Sequence, residues 1–258
     1  MPPTSTDELR EMVEAYLASI PLSTELGGLE ETLRYALESG GKRIRPVLCL
    51  AVTDAAGGGI EDALPAAAAV ELVHTFSLVH DDLPALDDDA LRRGRASAHV
   101  AFGEGVALLA GDALLAEAFR LVISYERPQP ARELVKATLG MIGGQHRDIT
   151  GDDGDLEALH RLKTGQLFSA SVGLGLEVAD VPTEEQAPWR AFGDELGLLF
   201  QVVDDILDED GFAARLGVEG ARELAEGAAE RAHARLAFVV ADTSVLHELV
   251  DGLVVRTG

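Results

Sequence analysis

At 258 residues, 47% of them apolar, the chain is long enough for one large domain with a substantial core. A net charge of −24, from 45 acids against 21 lysines and arginines, excludes a binder of nucleic acid or another polyanion on bulk electrostatics. The single cysteine, Cys49, excludes an intrachain disulfide and fits a reducing, cytoplasmic setting.

The opening "MPPTSTDELREMVEAYL" lacks the basic flank and apolar stretch of a secretory signal. No apolar run reaches the ~18 residues of a membrane span, so no stable membrane insertion is expected. Alanine, leucine, glutamate and arginine dominate, and all favour helix. Apolar residues recur at helical spacing over 5–20, 28–38, 43–56, 61–82, 105–125, 130–148, 155–178, 185–208, 212–238 and 243–256. Breakers such as "GGGIEDALP", "ERPQP", "TGDDGD" and "ADVPTEEQAP" separate them. Pro46, Pro65 and Pro188 fall where helices would begin. Two-residue alternation is scarce, so no sheet is expected. With no linker or internal repeat, the pattern predicts a single all-α domain spanning 1–258.

Three stretches carry concentrated charge. "ESGGKRIRPVL" places Lys42, Arg43 and Arg45 after a glycine pair at a helix start, where N–H groups and side-chain cations favour an anion. Taken alone, a solvated basic turn explains it equally well. Next, the apolar helix "AAAAVELVHTFSLVHDD" puts His74, Ser77 and Asp81 on one face, with Asp82 beside them. Pro84 disturbs the following turn, so Asp87 reaches back from an irregular segment. Acids at a helix C-terminus need a cation, and Arg92, Arg93 and Arg95 follow at once. Finally, "GLLFQVVDDILDEDG" sets Gln201, Asp204, Asp205 and Asp208 at i, i+3, i+4 and i+7, a polar stripe on an apolar helix. That segment holds no lysine or arginine, so the counterion must come from outside it. A solvated face would account for a lone acidic pair, but this helix is too apolar for the surface.

Two such helices imply one shared site. Carboxylate oxygens select Mg²⁺ or Ca²⁺, and the spacing of a calcium-binding EF-hand loop is missing. Mg²⁺ takes few carboxylates and completes its shell with water and substrate phosphates. Two clusters therefore imply more than one Mg²⁺ and a phosphorylated substrate, with arginines gripping the phosphate oxygens that the metals leave. "HRLKTGQL" adds Lys163 and Thr164 on an otherwise mostly apolar helix.

With these residues in view, the sequence resembles the trans-isoprenyl diphosphate synthases, or polyprenyl synthetases, of the bacterial farnesyl/geranylgeranyl type. The likeness runs from about Leu29 to Gly211, through "GGKRIRP", "HDDLPALDDDALRRG", "AGDALL", "GGQHRDI", "KTGQLF" and "FQVVDDILD". It implies a bundle of ten or more helices around a deep central cavity, the isoprenoid synthase fold, as a cytoplasmic homodimer. It implies condensation of isopentenyl diphosphate with an allylic diphosphate, with diphosphate released. About three Mg²⁺ ions would serve each site with substrate bound. Asp81, Asp82 and Asp87 would hold metal on one side of the allylic diphosphate, and Asp204 and Asp208 on the other. Arg92 and Lys163 would hold that diphosphate. Lys42, Arg45, His74 and Arg93 would hold isopentenyl diphosphate. Thr164 and Gln201 would stand beside the reacting carbons. Phe76 resembles the aromatic of farnesyl-forming enzymes; with Ser77 it would limit chain growth, unless it simply packs in the core.

The likeness fails in one place. The family carries a glycine- and lysine-rich loop after the second aspartate motif, whereas here "DDILDEDGFAARLG" runs straight into a helical pattern, and no lysine follows Lys163. Either the protein lacks this loop or the sequence omits it, the omission being the preferred reading, and "ITGDDGDLEALH" is short in the same way; a real deletion would impair turnover rather than fold. Two other readings compete. A terpene cyclase has one diphosphate to hold, which the basic triplet Lys42, Arg43 and Arg45 argues against. A silent regulatory subunit is opposed by the intact aspartates.

Overall fold

Ser5 opens the first helix with a capping box. Its hydroxyl accepts the Glu8 N–H at 3.3 Å, and its own N–H donates to the Glu8 carboxylate at 2.8 Å. The computed structural model describes residues 5–38, 40–151, 154 and 156–255. In chain order the helices are α1 (Thr6–Ser19), α2 (Glu30–Leu37), α3 (Ile44–Ala55), α4 (Ile60–Asp81), α5 (Ala98–Phe102), α6 (Glu104–Ile123), α7 (Gln129–Ile149), α8 (Leu156–His160), α9 (Gln166–Val178), α10 (Ala187–Asp208), α11 (Gly211–Leu236) and α12 (Ser244–Val254). The all-α expectation holds, and the ten predicted stretches each coincide with helix. Asp152, Asp153 and Asp155 of the "TGDDGD" breaker lie outside the described residues.

The core is organised around α4. Its run Ala66–Ala69 is buried, followed by Val70, Leu72 and Val73, all completely enclosed. Small alanines let α3, α6 and α9 approach closely. Each larger aliphatic side chain buried this way contributes about 1.5–3 kcal/mol. By length and composition α4 could cross a membrane, against the sequence expectation, but 67% of its most apolar window is buried inside the fold. Its apolarity is that of a core helix. Pro65 lies inside α4 rather than at its start, because the helix begins at Ile60.

Two further departures concern the site. A short antiparallel ribbon pairs β1 (Leu91–Arg92) with β2 (Arg95–Ala96), where no sheet was expected. Its turn residues, Arg93 and Gly94, both have positive φ (53° and 76°), the geometry of a tight two-residue hairpin. Each strand is two residues long, too short for alternation to register. The stretch 155–178 is also not one helix: a π turn at Arg161–Gly165 separates α8 from α9. Gly144 of α7 makes room for it, since a Cβ there would stand 2.6 Å from the Lys163 backbone nitrogen.

Candidate active site

The C-terminal end of α4, the ribbon, the α2–α3 loop, α7, the π turn and α10 enclose a cavity of about 1270 Å³. Lys42, Arg45, His74, Phe76, Ser77, Asp81, Arg92, Arg93, Lys163, Thr164, Gln201 and Asp204 all line it. Residues from both acid-bearing helices thus open onto a common space. Asp82, Asp87 and Asp208 stand outside the lining. Asp82 is buried, whereas Asp87 and Asp208 are exposed.

One side of the cavity is strongly cationic. Arg43 enters α3 in the left-handed region (φ 49°) and is buried. It donates to Glu14 at 2.8 Å, to Glu71 at 2.6 Å and to the Leu37 carbonyl at 2.5 Å. Its role is to pin the α2–α3 loop to α1 and α4. Arg45, two residues on, also lines the cavity. Its guanidinium lies over Phe168 and Phe200, 4.8 and 5.3 Å from their ring centres. Burial lowers its pKa to about 10, while Glu71 and Asp204 pull the other way. Its Nε is buried without a hydrogen-bond partner. Such an atom calls for an acceptor, and an anion entering the cavity would supply one. Arg93 reaches from the ribbon turn to donate to the Gly40 carbonyl, which joins the two basic segments. His74 sits among these guanidiniums. Burial first, then Arg45, Arg93, Arg43 and Arg92, hold its pKa well below the usual range, so the ring is neutral.

The acidic side is held differently. Asp81 accepts from the Gln145 amide at 2.8 Å. Burial raises its pKa to about 6; Asp87 and Asp82 add to this, while Lys163 and Arg92 oppose it. The Asp87 backbone folds back, its N–H donating to the Asp81 carbonyl at 2.9 Å, while its side chain is exposed and outside the cavity lining. Arg92 is bonded to Asp82, and to Asp89 at 3.2 Å. Lys163 is bonded to Asp148. Ser77 turns its hydroxyl onto the His74 carbonyl at 2.8 Å. Phe76 is 8% exposed and packs edge-on against His80, ring centres 4.9 Å apart. Among the described residues no three acid, imidazole or thiol groups converge on one point. The donor set still fits a hard cation. It consists of carboxylates from two walls, one of them kept from ionising readily by burial and like charge, and Mg²⁺ completes its shell from water and phosphate.

Sequence reasoning missed several members. Gln145 and Asp148 lie at i and i+3 on α7 and hold Asp81 and Lys163 respectively. Their "QHRD" spacing was the available signal. His160 lines the cavity beside the π turn.

The connection after the second acid stripe is as short as the sequence indicates. Only Glu209 and Asp210 separate α10 from α11, which is itself interrupted at Gly217.

Comparison with known proteins places these features. The sequence model described as Polyprenyl synthetase matches residues 27–229. Farnesyl diphosphate synthase of Bacillus subtilis (strain 168) is 42% identical over 204 residues, covering 73% of this chain and 69% of the relative. Because 73% of 258 residues is fewer than 204, the relative carries residues within that span that this chain lacks. Geranylgeranyl diphosphate synthase of Cyanophora paradoxa is 41% identical over 233 residues, covering 84% and 77%. The solved geranyltransferase of Legionella pneumophila superposes with a TM-score of 0.84 at 33% identity, covering 97% of this chain and 96% of that one. An FPP/GFPP synthase of Zymomonas mobilis gives 0.84 at 29%, covering 96% and 97%. A helical bundle whose acid-bearing α4 and α10 share one cavity with a wall of arginines is thus found in a chain that belongs to the polyprenyl synthetase family.

Proposed function

We propose that this enzyme elongates an allylic diphosphate with isopentenyl diphosphate, releasing diphosphate and adding five carbons. The observation that carries the reading is the division of one cavity into an acidic side, with Asp81 and Asp204, and a cationic side where the buried Arg45 Nε lacks a partner. Lys42, Arg45, His74 and Arg93 bind isopentenyl diphosphate. Neutral His74 donates one N–H without adding charge. Arg92 and Lys163 bind the allylic diphosphate, exchanging Asp82 and Asp148 for phosphate oxygens. Asp81, Asp82 and Asp87 on one side and Asp204 and Asp208 on the other would hold Mg²⁺, which when bound would supply Lewis acidity toward the leaving diphosphate. The Thr164 hydroxyl and the Gln201 carbonyl stand beside the carbon that loses the C–O bond and stabilise its positive charge. The double bond of isopentenyl diphosphate attacks that carbon, and the departing diphosphate takes the proton. Apolar walls such as Met141, Leu167 and Phe200 keep out water that would trap the cation.

Farnesyl diphosphate is the product on this reading, because Phe76 stands in the cavity wall and leans on His80. A geranylgeranyl product is the second reading, favoured by relatives of both names at nearly equal identity. The proposal extends to one domain over 1–258 and to a homodimer. The dimer is supported by exposed Leu108 and Leu109 on α6 and Leu139 on α7, helices that pack together. A cytoplasmic setting fits the single, buried Cys49.

Incubation with Mg²⁺, isopentenyl diphosphate and dimethylallyl or geranyl diphosphate should give longer linear diphosphates. A cyclised hydrocarbon from the allylic substrate alone would indicate a cyclase. No product from any combination would favour a regulatory subunit.

A further inference from the structure

Gln201, proposed above to stand beside the reacting carbons, is not at liberty to turn. Its Nε2 donates to Asp205 Oδ1 at 2.5 Å, which leaves the carbonyl oxygen as the end open to the cavity. Asp205 is itself 2% exposed, and its second oxygen is engaged too. Oδ2 accepts the Phe212 backbone N–H at 2.7 Å and lies 3.5 Å from His160 Nε2. The backbone of Gly211 passes so close that a Cβ would stand 2.1 Å from Oδ2, and its φ is +44°. Only glycine admits that approach. The Asp210 N–H, in turn, bonds the Asp205 carbonyl at 3.1 Å.

The motif "DDILD" presents Asp204, Asp205 and Asp208 as one acid stripe; in the structure Asp204 and Asp205 both line the cavity, whereas Asp208 stands outside the lining. Both carboxylate oxygens of Asp205 are already committed, Oδ1 to the Gln201 amide and Oδ2 to the Phe212 N–H, and these bonds fix the direction in which the carboxylate points.

We propose that Asp205 is a positioning residue rather than a metal ligand. It fixes the Gln201 amide so that the carbonyl oxygen faces the cationic carbon, and the first turn of α11 together with His160 holds Asp205 in place. The short α10–α11 connection serves this purpose, because it brings Phe212 directly onto the carboxylate. The inference rests on the prenyl-transfer reading, which wild-type turnover tests separately and first.

With that turnover in hand, steady-state kinetics of Asp205→Asn, Gln201→Ala and the double variant decide the matter. The new amide would face a donor, so Gln201 loses its anchor or turns. The expected result is a kcat lower by about ten- to a hundredfold, as for loss of one transition-state contact. KM for both diphosphates and the Mg²⁺ concentration for half-activity should stay within about twofold. The double variant should be no slower than the slower single one. A rise of about tenfold or more in the Mg²⁺ requirement would overturn the proposal, because Asp205 would then act on the metal site rather than through Gln201. Multiplying losses would also overturn it. Should Asp205→Asn fail to fold, side-chain amide NMR of the wild type gives the answer, with Gln201→Ala to assign the signal. One exchange-slowed Nε2 proton should persist when Mg²⁺ and inorganic diphosphate are added. Its release on that addition would sink the idea.

Discussion

On the α4 wall of the cavity, carboxylates are answered by side chains from elsewhere in the chain. Asp81 has Gln145, and Asp82 has Arg92. On the α10 wall, Asp205 is answered by the backbone of the next helix and by an amide one turn away. The difference has a physical consequence. Side-chain partners can be exchanged when a ligand arrives, and on the proposed reading Arg92 and Lys163 would exchange theirs to grip a diphosphate. Backbone partners stay put. One wall therefore adapts to substrate while the other serves as a fixed reference, and the reacting carbons would be placed against the fixed side.

The largest test asks whether both walls are needed. Asp81→Ala and Asp204→Ala should each lower turnover by about a thousandfold or more while leaving the helical circular dichroism unchanged. Near-normal rates in either variant would break the comparison. Arg43→Ala should damage only the adaptable side, since it strands the buried Glu71 without its cation. About 3–5 kcal/mol of stability should be lost, measured by urea unfolding. A loss within error of zero would show that the loop is held by something else.

The third test uses protons. Asp81 ionises near 6 in the folded protein, because burial and then its like-charged neighbours disfavour the anion. Its ordinary value is 3.8, so between these values the folded state binds more protons than the unfolded one. Stability of the metal-free protein should therefore fall as pH rises from about 4 to 6, with Asp81→Asn flattening the trend. Mg²⁺ competes with the same proton. The concentration for half-activity should rise about tenfold from pH 7 to pH 5, in titrations at each pH. The smallest effect concerns product length. Phe76→Ala should lengthen the product without abolishing turnover, read by chromatography of the dephosphorylated alcohols. An unchanged product would return Phe76 to ordinary packing.

Much of this was legible in the chain. Helical periodicity located α4 and α10, and i, i+3, i+4 and i+7 spacing put Asp204 and Gln201 on one face, because a helix fixes such relations locally. The partner of each acid was not legible. Gln145 reaches Asp81 across 64 positions of sequence, and nothing in either segment alone announces the pairing. The roles within a triplet were hidden for the same reason. Lys42, Arg43 and Arg45 read alike as cations and all line the cavity, yet Arg43 is buried and bonded to Glu14, Glu71 and the Leu37 carbonyl, whereas Arg45 stacks on Phe168 and Phe200. Asp205 was visible as part of a stripe, but its bond to the Phe212 N–H depends on where α11 returns.

The π turn at Arg161–Gly165 sets a phase. Each residue of a helix accounts for about 100° of rotation, and a π turn takes one residue more than an α turn. Everything from Gln166 onward is therefore dialled round by one position. Phe168 then comes under the Arg45 guanidinium, and Gly175 meets the Cys49 carbonyl. A chain shorter by a single residue here would keep every helix and lose their mutual register: Lys163 could face the cavity or Phe168 could meet Arg45, but never both.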